Sequence, residues 1–281
     1  MTLLDQGRTS LPPPGCEETE ASIDRLKARL SEETVADLAK EVLARVALRA
    51  EKRTLPADPI PEARVEKLAL ALLSESPGAA AEMVQGLLDD GVPAESVYLD
   101  HLAPAARMLG AWWNEDRVPF AMVSIGTSRI SGIMRRVGRL FPNPSGGFGR
   151  SAVFASVPAE THTIGMHMAA DLFRKEGWVI DLKTGFTHDA LVAGIRTSAS
   201  PVVGLSAGGA YALPRLSGLV AAIRKSSPGV SILVSGQIVQ DLPDLLTSTG
   251  VEAIATDFPT ALAAMEALCE RAIAGPIRRT A

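Results

Sequence analysis

The sequence predicts an α/β protein in which a four-helix bundle precedes a doubly wound, five-stranded parallel sheet. Two observations support this fold class. Residues 62–141 show helical periodicity throughout, in four segments separated by short breaks. After a linker rich in proline and glycine, five short apolar runs alternate with helical patterns. Such alternation is typical of βα units that build a parallel sheet.

Residues 1–61 are predicted to form an N-terminal extension. Its first part holds three consecutive prolines, Pro12 to Pro14, followed by an acidic stretch, which is typical of a disordered lead. Residues 21–52 have helical spacing, and an amphipathic helix is expected with Val35, Leu38, Val42 and Val46 on one face. The prolines between Leu55 and Pro61 prevent a continuous helix, so the extension is expected to end there.

The bundle is predicted over residues 62–141. Its helices are separated by Ser76-Pro-Gly, by Gly91 and by the turn at Asn114. The predicted helices run from Glu62 to Leu73, from Ala79 to Asp90, from Ala94 to Trp113 and from about Pro119 to Phe141. Because the connections are short, neighbouring helices are expected to be antiparallel.

The sheet-bearing domain is predicted over residues 150–275. Its strands are expected at 151–157, 178–182, 201–206, 230–235 and 252–256. The predicted strand order is 2-1-3-4-5, flavodoxin-like, which puts a crevice where strands 1 and 3 separate.

Polar loops follow the predicted strands at one edge of this sheet. Glu160 and His162 follow strand 1, Ser206 ends strand 3, and Gly236 follows strand 4. A carboxylate beside an imidazole fixes its tautomer and raises its basicity, which suits a metal ligand. The alternative is structural: His162 caps the following helix, and Glu160 is a carboxylate favoured by the helix dipole.

Composition narrows the function classes. The net charge of −4 and a pI of about 5.7 argue against a protein that binds the phosphate backbone of nucleic acids. Cys16 and Cys269 are too few for a disulfide framework or a cysteine zinc site, so a reducing cytoplasm is expected. No secretory signal and no apolar run of about 20 residues is found, so no membrane span is expected.

At residues 62–275 the chain resembles cobalamin-binding modules that pair a helical bundle with a Rossmann-like domain. Glu160-x-His162-x-x-Gly165 is similar to the family motif Asp-x-His-x-x-Gly. Leu205-Ser206-Ala207-Gly208 and Ser235-Gly236-Gln237 are similar to the Ser-x-Leu and Gly-Gly motifs, with Ser235 replacing the first glycine. The run from Ala253 to Asp257 resembles the family's last strand and loop.

The resemblance implies a cofactor, hydroxocobalamin or adenosylcobalamin, and a set of site residues. In the family the histidine, here His162, binds cobalt from below, and the nucleotide tail enters a deep slot beside Gly165 and Ser206. Adjacent helical positions point about 100° apart, so Trp112 and Trp113 cannot both cover one ligand equally. The resemblance implies that Trp113 covers the upper face and that Trp112 lies in the core. The remaining implied cofactor-binding residues are Glu160, Thr163, Ala207, Gly236, Gln237, Thr256 and Asp257.

A narrower resemblance is to regulators of the AerR/PpaA type, through the run from Trp112 to Phe120 and the short N-terminal segment. It implies an antirepressor, not an enzyme, that acts on a DNA-binding repressor of the CrtJ/PpsR type, and direct DNA binding is not expected. The chain lacks the upper-face histidine and the MerR-type domain of cobalamin photoreceptors; Met122, Val123 and Ser124 stand at that histidine's place.

Three other functions are compatible with parts of this pattern. A corrinoid carrier for methyl transfer shares both domains and the histidine. A mutase or hydrolase is weaker, because no second acid–base constellation and no barrel-sized domain are found. Haem also takes an axial histidine, but it has no nucleotide tail to use Gly165 and Ser206.

Overall fold

The computed structural model describes residues 60–141, 150–247 and 249–274. The predicted N-terminal helix and most of the predicted linker lie outside these ranges, so those features and the division into three parts stay predictions. The described residues belong to one unit that begins at Ile60.

Four helical stretches form the first part of this unit, close to the predicted bounds. They comprise α1 (Glu62–Leu73), α2 (Ala79–Asp89), α3 (Ala94–Ser96) with a π-helical segment (Val97–Leu102) and α4 (Ala103–Asn114), and α5 (Phe120–Val137) with a 3-10 turn (Gly138–Leu140). Their apolar faces enclose one core, in which Trp112 is buried, as predicted. Gly126 lets α5 approach α4 closely, because a Cβ there would lie 2.8 Å from Leu109.

The π-helical segment departs from the predicted regular helix, and Pro104 accounts for it. Proline has no N–H to donate to the carbonyl of Asp100, and its ring would collide with that carbonyl in a regular helix. The turn widens instead, and the amide of Ala103 donates to the carbonyl of Tyr98, five residues back.

Five parallel strands follow in the order β2-β1-β3-β4-β5, which confirms the predicted fold class. The strands are β1 (Ser151–Ser156), β2 (Val179–Lys183), β3 (Val202–Ser206), β4 (Ser231–Ser235) and β5 (Ala253–Ala255). The helices around them are α6 (Ile164–Lys175), α7 (His188–Thr197), α8 (Leu213–Ser226), α9 (Ile238–Asp241), α10 (Pro243–Thr247) and α11 (Phe258–Ala274), with a 3-10 turn (Ala210–Ala212) before α8.

Both faces of the sheet are covered by helices. Val153, Val203 and Val234 lie on the face that packs against α7 and α8. Phe154 and Leu233 lie on the opposite face, against α6 and α11. Because side chains alternate along a strand, this division also fixes the face of every residue at the strand ends.

Helix α6 joins the sheet to the bundle. Its Leu172 side chain is buried in the bundle core. The Tyr98 hydroxyl donates to the carbonyl of Met134 at 2.9 Å and to Asp171 Oδ2 at 3.0 Å. Burial and the neighbouring Asp171 carboxylate raise the pKa of Tyr98, so it stays a donor. The bundle is therefore held against the helix that begins two residues after His162.

Across the described ranges, no helix combines the length and the apolarity that crossing a bilayer requires.

Candidate functional site

The loops after β1, β3 and β4 meet at one edge of the sheet, as predicted. Ser156, Ser206 and Ser235 are in register across the three strands. Backbone hydrogen bonds continue past the strands, from Val157 N to Ser206 O at 3.0 Å and from Ala207 N to Ser235 O at 3.1 Å. The sheet thus holds the three loops in fixed positions relative to one another.

Glu160 is a buried carboxylate at this edge, with 6% of its surface exposed. Its Oε1 accepts the backbone N–H of His162 at 2.8 Å and lies 2.7 Å from His162 Nδ1. Its Oε2 accepts the backbone N–H of Gly208 at 2.7 Å and the Tyr211 hydroxyl at 3.0 Å. One carboxylate therefore joins the β1 and β3 loops and orients the imidazole.

The turn before Glu160 is strained. Ala159 has φ 64°, in the left-handed region that costs a residue with a side chain about 1 kcal/mol. The turn folds Glu160 back toward the end of β1, where its amide donates to the carbonyl of Val157. The carboxylate can then accept from the backbone of His162 two residues later.

The hydrogen bonds of Glu160 keep it ionised. Burial alone would raise its pKa, but the donors from His162, Gly208 and Tyr211 outweigh burial and lower the pKa below its ordinary value. An ionised acceptor at Nδ1 requires the proton of the neutral imidazole to sit on that nitrogen. The His162 side chain is 67% exposed, so Nε2 is the ring nitrogen left free to bind a ligand.

Two glycines are required where the loops approach each other. Gly208 faces Glu160, and a Cβ there would lie 2.5 Å from Oε2. Gly236 has φ +99°, and a Cβ there would lie 2.4 Å from the carbonyl oxygen of Ala207. The missing side chain at Gly208 lets Glu160 reach the β3 loop, and the missing side chain at Gly236 lets the backbones of the β3 and β4 loops pack at this distance.

Asp241 connects the β3 and β4 loops a second time. Its Oδ2 accepts the backbone N–H of Ala210 at 3.1 Å, and its Oδ1 accepts Gln237 Nε2 at 3.1 Å. Gln237, one of the predicted cofactor-binding residues, thus braces the β4 loop through Asp241. Sequence reasoning missed both Asp241 and Tyr211, because neither falls within a motif.

The first turn of α6 leaves open space next to the site. Its N-cap residue, Thr163, makes no capping hydrogen bond through its side chain, and the first turn contains no acidic residue. Gly165 is exposed, and a Cβ there would meet no atom within 4 Å. No packing constraint among the described residues explains a glycine at 165, and the space beside it can accept a ligand.

The remaining predicted residues lie on other elements. Asp257 follows β5 and caps α11, accepting Thr260 N at 2.8 Å and the Thr256 hydroxyl at 3.1 Å. The backbone bond from Thr260 is the main reason why the pKa of Asp257 is lowered. Trp113 lies on the bundle, where its ring is 41% exposed and packs on Phe120 with centroids 5.9 Å apart.

The donor set restricts which metal could bind. Across the described ranges, no three histidine, cysteine or acidic side chains cluster as a metal site. The bundle's His101 is buried, and His167 bonds the Thr163 carbonyl at 2.9 Å through Nδ1. A free metal ion needs several protein ligands, whereas a metal already held by a macrocycle needs only axial ones. His162 therefore fits the second kind.

Comparison with known proteins finds similarity to a cobalamin-binding family and to a corrinoid protein. Residues 150–266 match the B12 binding domain family. A 20.5 kDa uncharacterised protein from the bchF-crtJ intergenic region of Rhodobacter capsulatus is 25% identical over 169 residues, which cover 59% of this chain and 88% of the relative. The structure of a monomethylamine corrinoid protein from Methanosarcina barkeri superposes with a TM-score of 0.61 at 17% identity, covering 73% of this chain and 96% of that chain.

These comparisons confirm the Rossmann-like fold and support a corrinoid cofactor. The residues present fit such a group: His162 offers one axial nitrogen, Glu160 fixes the imidazole, and Gly165 leaves space beside α6. The form of the corrinoid and the individual contacts of the other site residues stay predictions.

Proposed function

We propose that this chain is a cytoplasmic, cobalamin-binding regulator that responds to light and acts as an antirepressor through a repressor of the CrtJ/PpsR type. The Glu160–His162 pair is the observation that carries the cofactor assignment. The relative from Rhodobacter capsulatus supports the choice of partner, since its gene lies in the interval that ends at crtJ.

Each residue of the site would have a defined role. His162 Nε2 would bind the cobalt of the cofactor, and Glu160 would hold the proton on Nδ1 and so keep Nε2 free. Trp113 and Phe120 would supply the apolar cover on the bundle. Bound cobalamin supplies a photolabile cobalt–carbon bond or an exchangeable upper ligand.

The response would pass through the bundle. A change at the upper face would alter the preferred position of the bundle relative to the sheet, and partner binding would then depend on the ligand state. The contacts of Tyr98 with Met134 and Asp171 lie where the bundle meets α6, so such a shift would change them. We propose no catalytic role, because the hydrogen bonds of Glu160 all serve to position loops or the imidazole.

Retention of the cofactor tests the first part of the proposal. The full chain is incubated with hydroxocobalamin and adenosylcobalamin, in darkness and after illumination, and its visible spectrum is recorded after desalting. His162→Ala should lose retained corrinoid while the far-UV circular dichroism stays unchanged. His167→Ala is the matched control, because His167 is exposed and bonds only its own helix. Equal retention in both variants would refute the axial role of His162.

The regulatory part is tested with a repressor of the CrtJ/PpsR type and its operator DNA. The loaded protein should change the repressor's affinity for the operator, and illumination of the adenosylcobalamin form should alter that change. Transfer of a methyl group to the loaded protein by a methyltransferase, with no effect on the repressor, would favour a corrinoid carrier instead.

A further inference from the structure

A groove runs between α5, the last helix of the bundle, and α6. It encloses about 900 Å³, which is within the range of small-molecule sites. Its walls are the second half of α5 with the 3-10 turn that follows, and the first two turns of α6. Thr163 is the predicted cofactor-binding residue in its lining. The groove therefore begins beside the candidate site and continues along the flank of α6.

Two arginines, Arg135 and Arg139, line the bundle side of the groove. They are four residues apart, so they lie on the same side of the helical stretch. Both are exposed, and neither guanidinium forms a hydrogen bond or an ion pair with another described residue. Stabilisation of the helix dipole would explain basic residues at the end of α5, but it applies equally to Arg136, which does not line the groove. The two arginines in the lining are therefore available to a ligand.

The wall formed by α6 also favours a negatively charged ligand. Thr163 caps α6 without a side-chain hydrogen bond, and the first turn holds no acidic residue, so no carboxylate of that turn compensates the positive end of the helix dipole. Asp171 is the acidic residue of the lining, but its oxygens already accept the Tyr98 hydroxyl at 3.0 Å and Arg174 Nη1 at 3.2 Å. Since Arg174 offsets the charge of Asp171, the groove as a whole is positive.

Between these polar walls the groove has apolar surface. Met134 and Ile164 belong to its lining, and so does Phe141, whose ring packs edge-on against Tyr98 with centroids 5.3 Å apart. An inorganic ion would fill only a small part of the volume and would leave these side chains in contact with water. The lining therefore suits a molecule that combines a charged group with an apolar body.

We infer that this groove binds a phosphorylated small organic molecule at a second site, separate from that of the cofactor. A phosphate monoester carries a charge of about −1.5 to −2 at neutral pH, which matches the two guanidinium groups of Arg135 and Arg139. Guanidinium groups also bind phosphate through paired hydrogen bonds. The apolar body would pack on Met134 and Phe141. The inference goes beyond the proposed function and does not depend on it.

Phenyl phosphate and inorganic phosphate are the probes, titrated calorimetrically into the full chain at constant ionic strength. The wild type should bind phenyl phosphate at least about fivefold more tightly than inorganic phosphate, because the ring covers apolar surface. The double variant Arg135→Gln/Arg139→Gln should bind phenyl phosphate at least about tenfold more weakly. Arg107→Gln/Arg136→Gln is the matched control, because it removes two exposed positive charges that do not line the groove. It should keep the wild-type Kd within about twofold.

Three results would each overturn the inference. The wild type could bind neither probe, or both double variants could lose affinity equally, which would indicate attraction to the net charge alone. Alternatively, saturation with hydroxocobalamin could abolish the binding of phenyl phosphate, which would make the groove part of the cofactor site. Far-UV circular dichroism of each variant checks that the fold is kept. A chain that binds phenyl phosphate but retains no corrinoid would refute the proposed function and leave this second site standing.

Discussion

Replacement of Glu160 by Gln tests whether one carboxylate organises the site. Glutamine has the same shape, but one oxygen becomes an NH2 group that donates. The carboxylate now accepts from two backbone amides, those of His162 and Gly208, on opposite oxygens. In either orientation of the glutamine, one of these amides faces an NH2 group. The Tyr211 hydroxyl can rotate to accept, but a backbone N–H cannot.

The magnitude follows from these contacts. One buried backbone donor left unpaired costs about 1–3 kcal/mol. The other backbone bond and the bond from the imidazole become bonds to a neutral acceptor, and each loses about 1 kcal/mol. We therefore expect Glu160→Gln to lower the free energy of unfolding of the cofactor-free protein by about 3–5 kcal/mol. That is a large share of the stability of an ordinary domain.

Urea unfolding at neutral pH, followed by far-UV circular dichroism, measures this loss. Glu266→Gln is the matched control: its carboxylate forms an exposed ion pair with Arg150 at 3.1 Å, which should contribute at most about 1 kcal/mol. If Glu160→Gln were no more destabilising than Glu266→Gln, the carboxylate would not be holding the two loops together.

Two further predictions concern the neighbouring loops. Gly236→Ala should destabilise the protein by more than about 2 kcal/mol, because φ is +99° and the new Cβ would lie 2.4 Å from the Ala207 oxygen; an unchanged urea midpoint would contradict this. Asp257→Asn should lose about 0.5–1 kcal/mol at neutral pH. Since the folded-state pKa of Asp257 is lowered, its stabilisation is complete above the ordinary value of 3.8 and is lost as pH falls through the folded-state pKa. The difference between wild type and variant should therefore shrink as pH falls below 3.8 and vanish once pH is below the folded-state pKa, and a difference constant with pH would contradict the assignment.

The elements of the fold were predictable because their signals are local. Each helix and strand shows its own periodicity within a dozen residues, and general topology rules for parallel sheets supplied the strand order. The contact between Glu160 and His162 was predictable for the same reason, since only one residue separates them. The π-helical segment also had a local signal, Pro104. A proline affects the carbonyl four residues before it, and the apolar periodicity of the helix does not show that effect.

Tyr211 and Asp241 were not predictable, because their roles depend on how separate loops pack. Tyr211 reaches Glu160 across 51 residues of chain, and Asp241 reaches Ala210 across 31. Nothing in the residue types around either position indicates these contacts. Only the parallel register of β1, β3 and β4 brings the loops close enough to form them.

The glutamate at 160 illustrates why a departure from a motif has to be interpreted in three dimensions. From the sequence, the extra methylene changes only the geometry of a local pair. In the structure, Glu160 reaches beyond His162 and binds the Gly208 amide and the Tyr211 hydroxyl through its second oxygen. That reach requires glycine at 208, since a Cβ there would lie 2.5 Å from Oε2. Glu160, Gly208 and Tyr211 therefore form one hydrogen-bonded unit. A change at any of them should alter the orientation of the His162 imidazole.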